Sequence, residues 1–164
     1  MLCLSHANVN AGFLAFRLFS DGRGKWNYTV PGGGSENPIR KENIDEGLQY
    51  FQMNGRAVYE VATKVLPQAI NQVLSDTGLT TDDIDYMIPH QPSIKILKDT
   101  AKIIGLPFSK VKTNMARYAN TSGGTIPILL DEVNKAGELS KGKIILFAAV
   151  GSGWTWGASL IKWH

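Results

Sequence analysis

"YMIPHQPSIKIL", residues 86–97, joins an apolar run to an amphipathic one through a histidine and a glutamine. Tyr86, Met87 and Ile88 suit a buried strand, and Pro92 opens a segment of helical period. A plain turn needs neither an imidazole nor a carboxamide. His90 and Gln91 therefore raise the question of whether this junction does chemistry, while the strand–loop–helix order around them sets the fold class.

Upstream of the junction, "IDYMIP" (84–89) reads as a short apolar strand; downstream, Ser93 to Ile104 reads as a helix stopped by Gly105. Ile94, Leu97, Ala101 and Ile104 are expected to face the core, with Lys95, Lys98 and Lys102 forming a stripe on another side. Before it, residues 55–76 carry Val58, Val61, Ala62, Val65, Ala69 and Val73 at helical spacing, with Gly78 as the stop. Pro67 lies inside that pattern and lacks a backbone donor, so a kink or a split is expected there.

Farther out, "GFLAFRLF" (12–19) and "KWNYTV" (25–30) read as strands about a turn, followed by the loop "PGGGSENP" (31–38). "SKVKTN" (109–114) reads as a strand and "GGTIPILLDEVNKAG" (123–137) as a helix between glycines. "KIILFAAV" (143–150) and "WGASLIKW" (156–163) are two final strands. Alternating helices and strands imply one α/β domain over residues 1–164, with helices layered on a mixed sheet that ends in an antiparallel hairpin.

The bulk numbers narrow the class. The chain has 164 residues, 43% of them hydrophobic and 19% charged, enough for one domain with a core. No window approaches about 18 uninterrupted apolar residues, so no membrane span is expected. "MLCLSHANVN" has no basic stretch before a long apolar run, so no secretory signal and a cytoplasmic location are expected. The sequons at Asn27 and Asn120 are then empty. A single cysteine, Cys3, excludes an internal disulfide and a multi-cysteine zinc site, and no metal site is expected. The formal charge of +3 is spread along the chain without a basic block, which argues against a nucleic-acid partner.

Three stretches could carry chemistry. His90 follows the carboxyl end of an apolar strand, where open α/β sheets place ligands. It also precedes a helix N-terminus, whose partial positive charge disfavours the imidazolium. Its bland alternative is a structural histidine. Asn120, in "RYANTSGG" (117–124), lies between an expected strand and a helix, so its amide is expected on the same rim; a helix-entry turn is the alternative. "VGSGWTWG" (150–157) is no phosphate loop, since neither a Lys-Ser/Thr nor the G-x-G-x-x-G spacing follows. It suits a backbone N–H aimed at an oxyanion, or a hairpin turn.

Taken in order, "PHQPSIKIL", "NTSGGTIPILLDE" and "GSGWTWGASLI" resemble the carboxyl-terminal half of β-ketoacyl-acyl-carrier-protein synthase III, a thiolase-fold condensing enzyme. The resemblance extends weakly to "MNGRAVYEVATKVLPQAI" and "PGGGS". It implies a thiolase-like half fold and a Cys-His-Asn site that needs no cofactor. In that family the cysteine takes an acyl group from acyl-CoA. The histidine and asparagine then hold the thioester carbonyl of malonyl-acyl-carrier protein as it loses carbon dioxide. His90 and Asn120 match these two residues, and the backbone of Ser152 matches the oxyanion position, where the family commonly has glycine.

The resemblance further implies that Met53, Gly55, Arg56 and Ser93 approach the pantetheine arm. Ser93 stands where the family often has asparagine, and the basic side chain of Arg56 is atypical. Lys95 matches the basic residue that receives the acidic carrier, against the alternative of a solvated face. The family nucleophile belongs to a first half that these residues do not contain. Cys3 has no helix signature after it and reads as a small apolar side chain. The implied partners are acyl-CoA, malonyl-acyl-carrier protein and a cysteine-bearing half, with association through the face that half would cover. Two other readings stay open: a non-catalytic remnant that binds carrier protein or CoA, and half of another thiolase-fold enzyme, such as a polyketide, quinolone-type or hydroxymethylglutaryl-CoA synthase.

Overall fold

The computed structural model describes residues 11–164. In chain order the elements are strands β1 (Gly12–Ser20), β2 (Tyr28–Thr29) and β3 (Gln52–Met53), then helix α1 (Gly55–Thr77). Strand β4 (Tyr86–Pro89) and helices α2 (Ile94–Ile104), α3 (Met115–Tyr118) and α4 (Thr125–Lys135) follow. Strands β5 (Ile144–Gly151) and β6 (Thr155–Lys162) end the fold.

The main sheet runs β1-β6-β5-β4. Its β4–β5 pair is parallel and its β5–β6 and β6–β1 pairs are antiparallel, so the sheet is mixed and closes on the expected hairpin. Parallel β4 and β5 need a crossover, and α2 to α4 supply it. Strands β2 and β3 form a separate two-stranded ribbon.

Each sheet face has its own core. On one face, α1 and α2 bury Ala62, Leu66, Ile70 and Val73 against Met87, Leu146, Ala158 and Leu160. Burying an aliphatic side chain of this size contributes about 1.5–3 kcal/mol. That sum explains why α1 runs unbroken through Pro67, which is itself buried. The lost hydrogen bond does not split a helix whose whole inner face is pinned. Gly78 ends it in the left-handed conformation at φ 70°.

On the other face, α4 sets Leu129, Leu130 and Val133 over Ile88 and Ile145 at the β4–β5 side. Among the described residues nothing covers the β1–β6 side of this face, and Phe16 and Leu18 are 63% and 77% exposed. Gly157 on β6 lies opposite Leu18, and a Cβ there would come within 2.6 Å of the Arg17 carbonyl oxygen. The glycine is what lets β1 lie this close.

Three sequence expectations are corrected. Residues 25–30 are mostly not a strand: Gly22–Asn27 is a 3-10 helix, capped by the Asp21 carboxylate, and only Tyr28–Thr29 pairs. Residues 109–114 are not a strand either. Phe108–Lys110 is a 3-10 turn and Val111 makes a single bridge to Met87 before the chain turns into α3. Ile94 sits 42% exposed at the start of α2, whereas Ile96 and Thr100 are buried beside Leu97 and Ala101. The inner face of the helix is turned by about one residue from the expected one, because Ser93 caps it and residue 94 falls in the solvent-facing first turn.

Candidate active site

His90 follows directly on β4, and its backbone N–H donates to the Ala148 carbonyl of β5 at 2.8 Å. The ladder therefore extends one residue past the strand and fixes the backbone of the histidine. Gln91 explains the second half of the junction. It is wholly buried, and its Nε2 donates to the carbonyls of Pro89 at 3.0 Å and Lys112 at 3.4 Å. Its amide ties down the chain on both sides of the histidine, which is a structural task.

The His90 ring is half-buried, and its Nδ1 lies 2.6 Å from the hydroxyl of Thr125, the first residue of α4. Thr125 is 2% exposed, and its hydroxyl also donates to the Ser122 carbonyl at 2.9 Å. Burial pushes the imidazole below its ordinary pKa of 6.5, against a smaller upward effect from a backbone hydrogen bond with Ser122. Desolvation is the main cause, where the sequence had suggested the dipole of the following helix.

Asn120 is exposed, in the loop between α3 and a 3-10 turn at Ser122–Gly124. It does not stand at the end of a strand, because residues 109–114 form none. Its Oδ1 accepts the Ser122 N–H at 2.9 Å, which leaves the Nδ2 hydrogens outside that turn. Ser122, at φ 52°, thus connects the two candidates: its N–H binds Asn120 and its carbonyl binds Thr125, which touches His90.

A cleft of about 900 Å³ opens over the uncovered sheet face. His90, Ser122, Thr125 and Ile126 line it on one side, with Phe16, Leu18, Phe147 and Gly157 among its apolar lining. Gly151 and Thr155, which flank the β5–β6 turn, also line it. Asn120 and Ser152 do not line it; Ser152 directly follows the lining Gly151, and Asn120 stands two positions before the lining Ser122. The Ser152 hydroxyl donates to the Tyr28 carbonyl at 2.7 Å, tying the turn to the small ribbon.

The expected arm-binding residues are absent from that lining. Met53 is exposed on β3, and Gly55 opens α1 under the Asn54 cap. Arg56 is paired with Glu60 at 2.8 Å. The Ser93 oxygen accepts the Ile96 N–H at 3.2 Å as the cap of α2. Lys95 is exposed but engaged, donating to Asp99 and to the Tyr59 hydroxyl, each at 2.7 Å. Its ammonium is held above the ordinary lysine range, first by the hydrogen bond to Asp99 and then by that to Tyr59. Lys98 lies over the Phe108 ring. Cys3 lies outside the described residues.

Comparison with known proteins places this geometry. The family described as "3-Oxoacyl-[acyl-carrier-protein (ACP)] synthase III C terminal" matches residues 74–163, which hold β4 through β6 and the His90 cleft wall. The chain belongs to this family. It is 41% identical over 154 residues to the β-ketoacyl-[acyl-carrier-protein] synthase III of Clostridium acetobutylicum, covering 93% of this chain and 46% of that protein. The enzyme of the same name from Chlorobaculum tepidum is 36% identical over 154 residues, with 93% and 47% covered. The crystal structure of 3-oxoacyl-[acyl-carrier-protein] synthase III from Aquifex aeolicus superposes with a TM-score of 0.84 at 28% identity, over 97% of this chain and 47% of that one. The Thermus thermophilus synthase III gives 0.84 at 30% identity, over 98% and 49%.

The chain spans about half the length of the curated relatives it matches. Its α/β fold is thus the thiolase-like carboxyl-terminal half of a β-ketoacyl-acyl-carrier-protein synthase III. Among the described residues, no helix is long and apolar enough to cross a membrane.

Two features escaped the sequence reading. Thr125 looked like one more helix-entry residue, although its place three residues after Ser122 is the spacing at which a hydroxyl reaches back to a carbonyl. The open floor was visible in "GFLAFRLF", where apolar residues fall on both strand faces and so require cover on both.

Proposed function

We propose that residues 1–164 form the carboxyl-terminal domain of a β-ketoacyl-acyl-carrier-protein synthase III, an acyltransferase of fatty-acid synthesis. The domain contributes His90 and Asn120 to the decarboxylative Claisen condensation of malonyl-acyl-carrier protein with an acyl primer brought as acyl-CoA. A cysteine-bearing half completes the site over the open sheet face, and the isolated chain is inactive. The observation that carries this reading is the cleft itself: a desolvated imidazole on its wall is linked through Ser122 to an amide whose oxygen is already engaged.

The chemistry asks for such groups. Loss of carbon dioxide places negative charge on the thioester oxygen, and donors fixed beforehand stabilise that charge more in the transition state than in the ground state. Asn120 supplies amide N–H groups and His90 its cleft-side nitrogen. The backbone of Ser152, in the turn beside the cleft, serves the acyl-transfer oxyanion. Claisen chemistry on a thioester requires no cofactor.

Met53, Gly55, Arg56 and Ser93 belong in this proposal to the approach of the pantetheine arm, outside the cleft floor. Lys95 takes part in carrier docking with Lys98 and Lys102 on α2, its charge moderated by Asp99. Exposed charges of this kind steer association more than they add affinity.

The test is co-expression with a cysteine-bearing amino-terminal half, followed by assay of condensation between acyl-CoA and malonyl-acyl-carrier protein. Activity is expected only with both halves present. It should fall by about a hundredfold or more for His90→Ala or Asn120→Ala, the order of loss for a removed oxyanion donor. A stable two-half complex without turnover would reject the reading.

A further inference from the structure

The segment that carries Asn120 lacks the ordinary means of support. Helix α3, which leads into it, is a single turn; none of its residues is buried, and it packs broadly against no other described element. One turn of helix does not hold itself in water. Ala119 follows at φ 55° and Ser122 at φ 52°. Such backbone states cost a non-glycine residue about 1–3 kcal/mol and persist only where the surroundings enforce them.

What enforces them comes from α4. One oxygen of the Glu132 carboxylate accepts from the buried Asn114 amide at 2.8 Å, and the other pairs with the Arg117 guanidinium at 2.8 Å. Asn114 directly precedes α3, and its carbonyl accepts the N–H groups of Arg117 and Tyr118. A single carboxylate therefore grips both the entry and the body of the turn. Helix α4 also begins with Thr125, whose hydroxyl touches His90. Glu132 stands seven residues farther along it. Seven residues are about two turns, or 10.5 Å, of a stiff rod.

We propose that Glu132 is a positioning residue that fixes Asn120 relative to His90, by clamping α3 to the helix whose first residue touches the imidazole. This rests on the reading of the two side chains as donors of the condensing site, and it names what holds one in place against the other. Glu132 touches neither substrate nor reacting atoms. With the clamp open, α3 loses its grip on α4, the strained backbone at Ala119 and Ser122 relaxes, and the Asn120 amide leaves its place.

Hydrogen exchange on the full chain, read by mass spectrometry, tests this without any turnover. Glu132→Ala should quicken exchange over residues 115–124 by about tenfold or more while β4, β5 and β6 keep their rates, because only a local opening becomes easier. Uniform acceleration across the domain, or none over 115–124, would overturn the proposal. Should Glu132→Ala not fold, Glu132→Gln replaces it, and loss of the fold there too would make the residue a general support and reject the clamp. A swap gives the rescue. Asn114→Asp alone sets two carboxylates against each other and should loosen the same segment. Asn114→Asp with Glu132→Gln rebuilds the bond with its donor reversed and should restore slow exchange; a pair as loose as the single variant counts against the clamp. In the enzyme completed by a cysteine-bearing half, Glu132→Ala should lower kcat for malonyl decarboxylation by about a hundredfold, the loss expected from misplacing a group by about 1 Å. The KM for malonyl-acyl-carrier protein and the rate of acyl transfer to the cysteine should stay unchanged, and equal losses in both half-reactions would reject the assignment. If the completed enzyme condenses nothing, the reading of the site fails, whereas the exchange rates still decide whether Glu132 holds the Asn120 segment.

Discussion

At the residue scale, His90 and Gln91 show how adjacent polar residues divide their tasks. The glutamine is buried and satisfies backbone carbonyls, while the histidine lines the cleft and binds the Thr125 hydroxyl. The sequence pointed to His90 because it follows the carboxyl end of an apolar strand and precedes a helix entry, where open α/β sheets place ligands. It could not assign Gln91, since the Lys112 carbonyl it meets is supplied by a loop far along the chain. The depressed pKa of His90 has a pH consequence. Below 6.5 the unfolded chain takes up a proton that the folded chain resists, so this contribution is full above 6.5 and is lost as pH falls towards the lower folded value. Urea midpoints should therefore stay level above that pH and decline below it, before carboxylates titrate. His90→Gln should flatten the decline; an unaltered slope would show that the ring is not desolvated.

At the element scale, the long periodic segments were legible and the short irregular ones were not. Helix α1 and strands β4, β5 and β6 follow from period and burial that act locally. Residues 25–30 and 109–114 have strand-like composition, yet tertiary context decides them: Asp21 caps a 3-10 helix in one, and a single bridge from Val111 precedes a turn in the other. Asn120 lies in a loop and not at a strand end, because residues 109–114 form no strand, and it connects to His90 by hydrogen bonds only through Ser122 and Thr125. The close approach of β1 to β6 gives a sharper check. Gly157→Ala would drive a methyl group to 2.6 Å from the Arg17 carbonyl oxygen and 2.7 Å from Leu18 Cδ2. Backbone has to move, so a loss of about 1–3 kcal/mol is expected in denaturant melts. Hydrogen exchange should quicken first in β1. A neutral substitution would mean that β1 is not held in this register.

At the scale of the whole molecule, the two sheet faces differ in how completely they are covered. Helices α1 and α2 close one, whereas α4 closes only the β4–β5 side of the other. Phe16 and Leu18 contribute little to folding of the chain alone because they are already wet, so Phe16→Ser with Leu18→Ser should leave the melting temperature nearly unchanged at concentrations too dilute for self-association. The same pair of substitutions should suppress self-association in sedimentation velocity, and should prevent binding of a complementary half. Persistent association would place the adhesive surface elsewhere. The partial cover also changes what a thermal melt of this chain measures. Any companion that settles on the bare strands binds the folded form and not the unfolded one, adding RT ln(1 + [L]/Kd) to its stability. The temperature at which the chain unfolds is then a gauge of how much companion is in the tube, and two laboratories working at different concentrations would report different numbers for the same molecule.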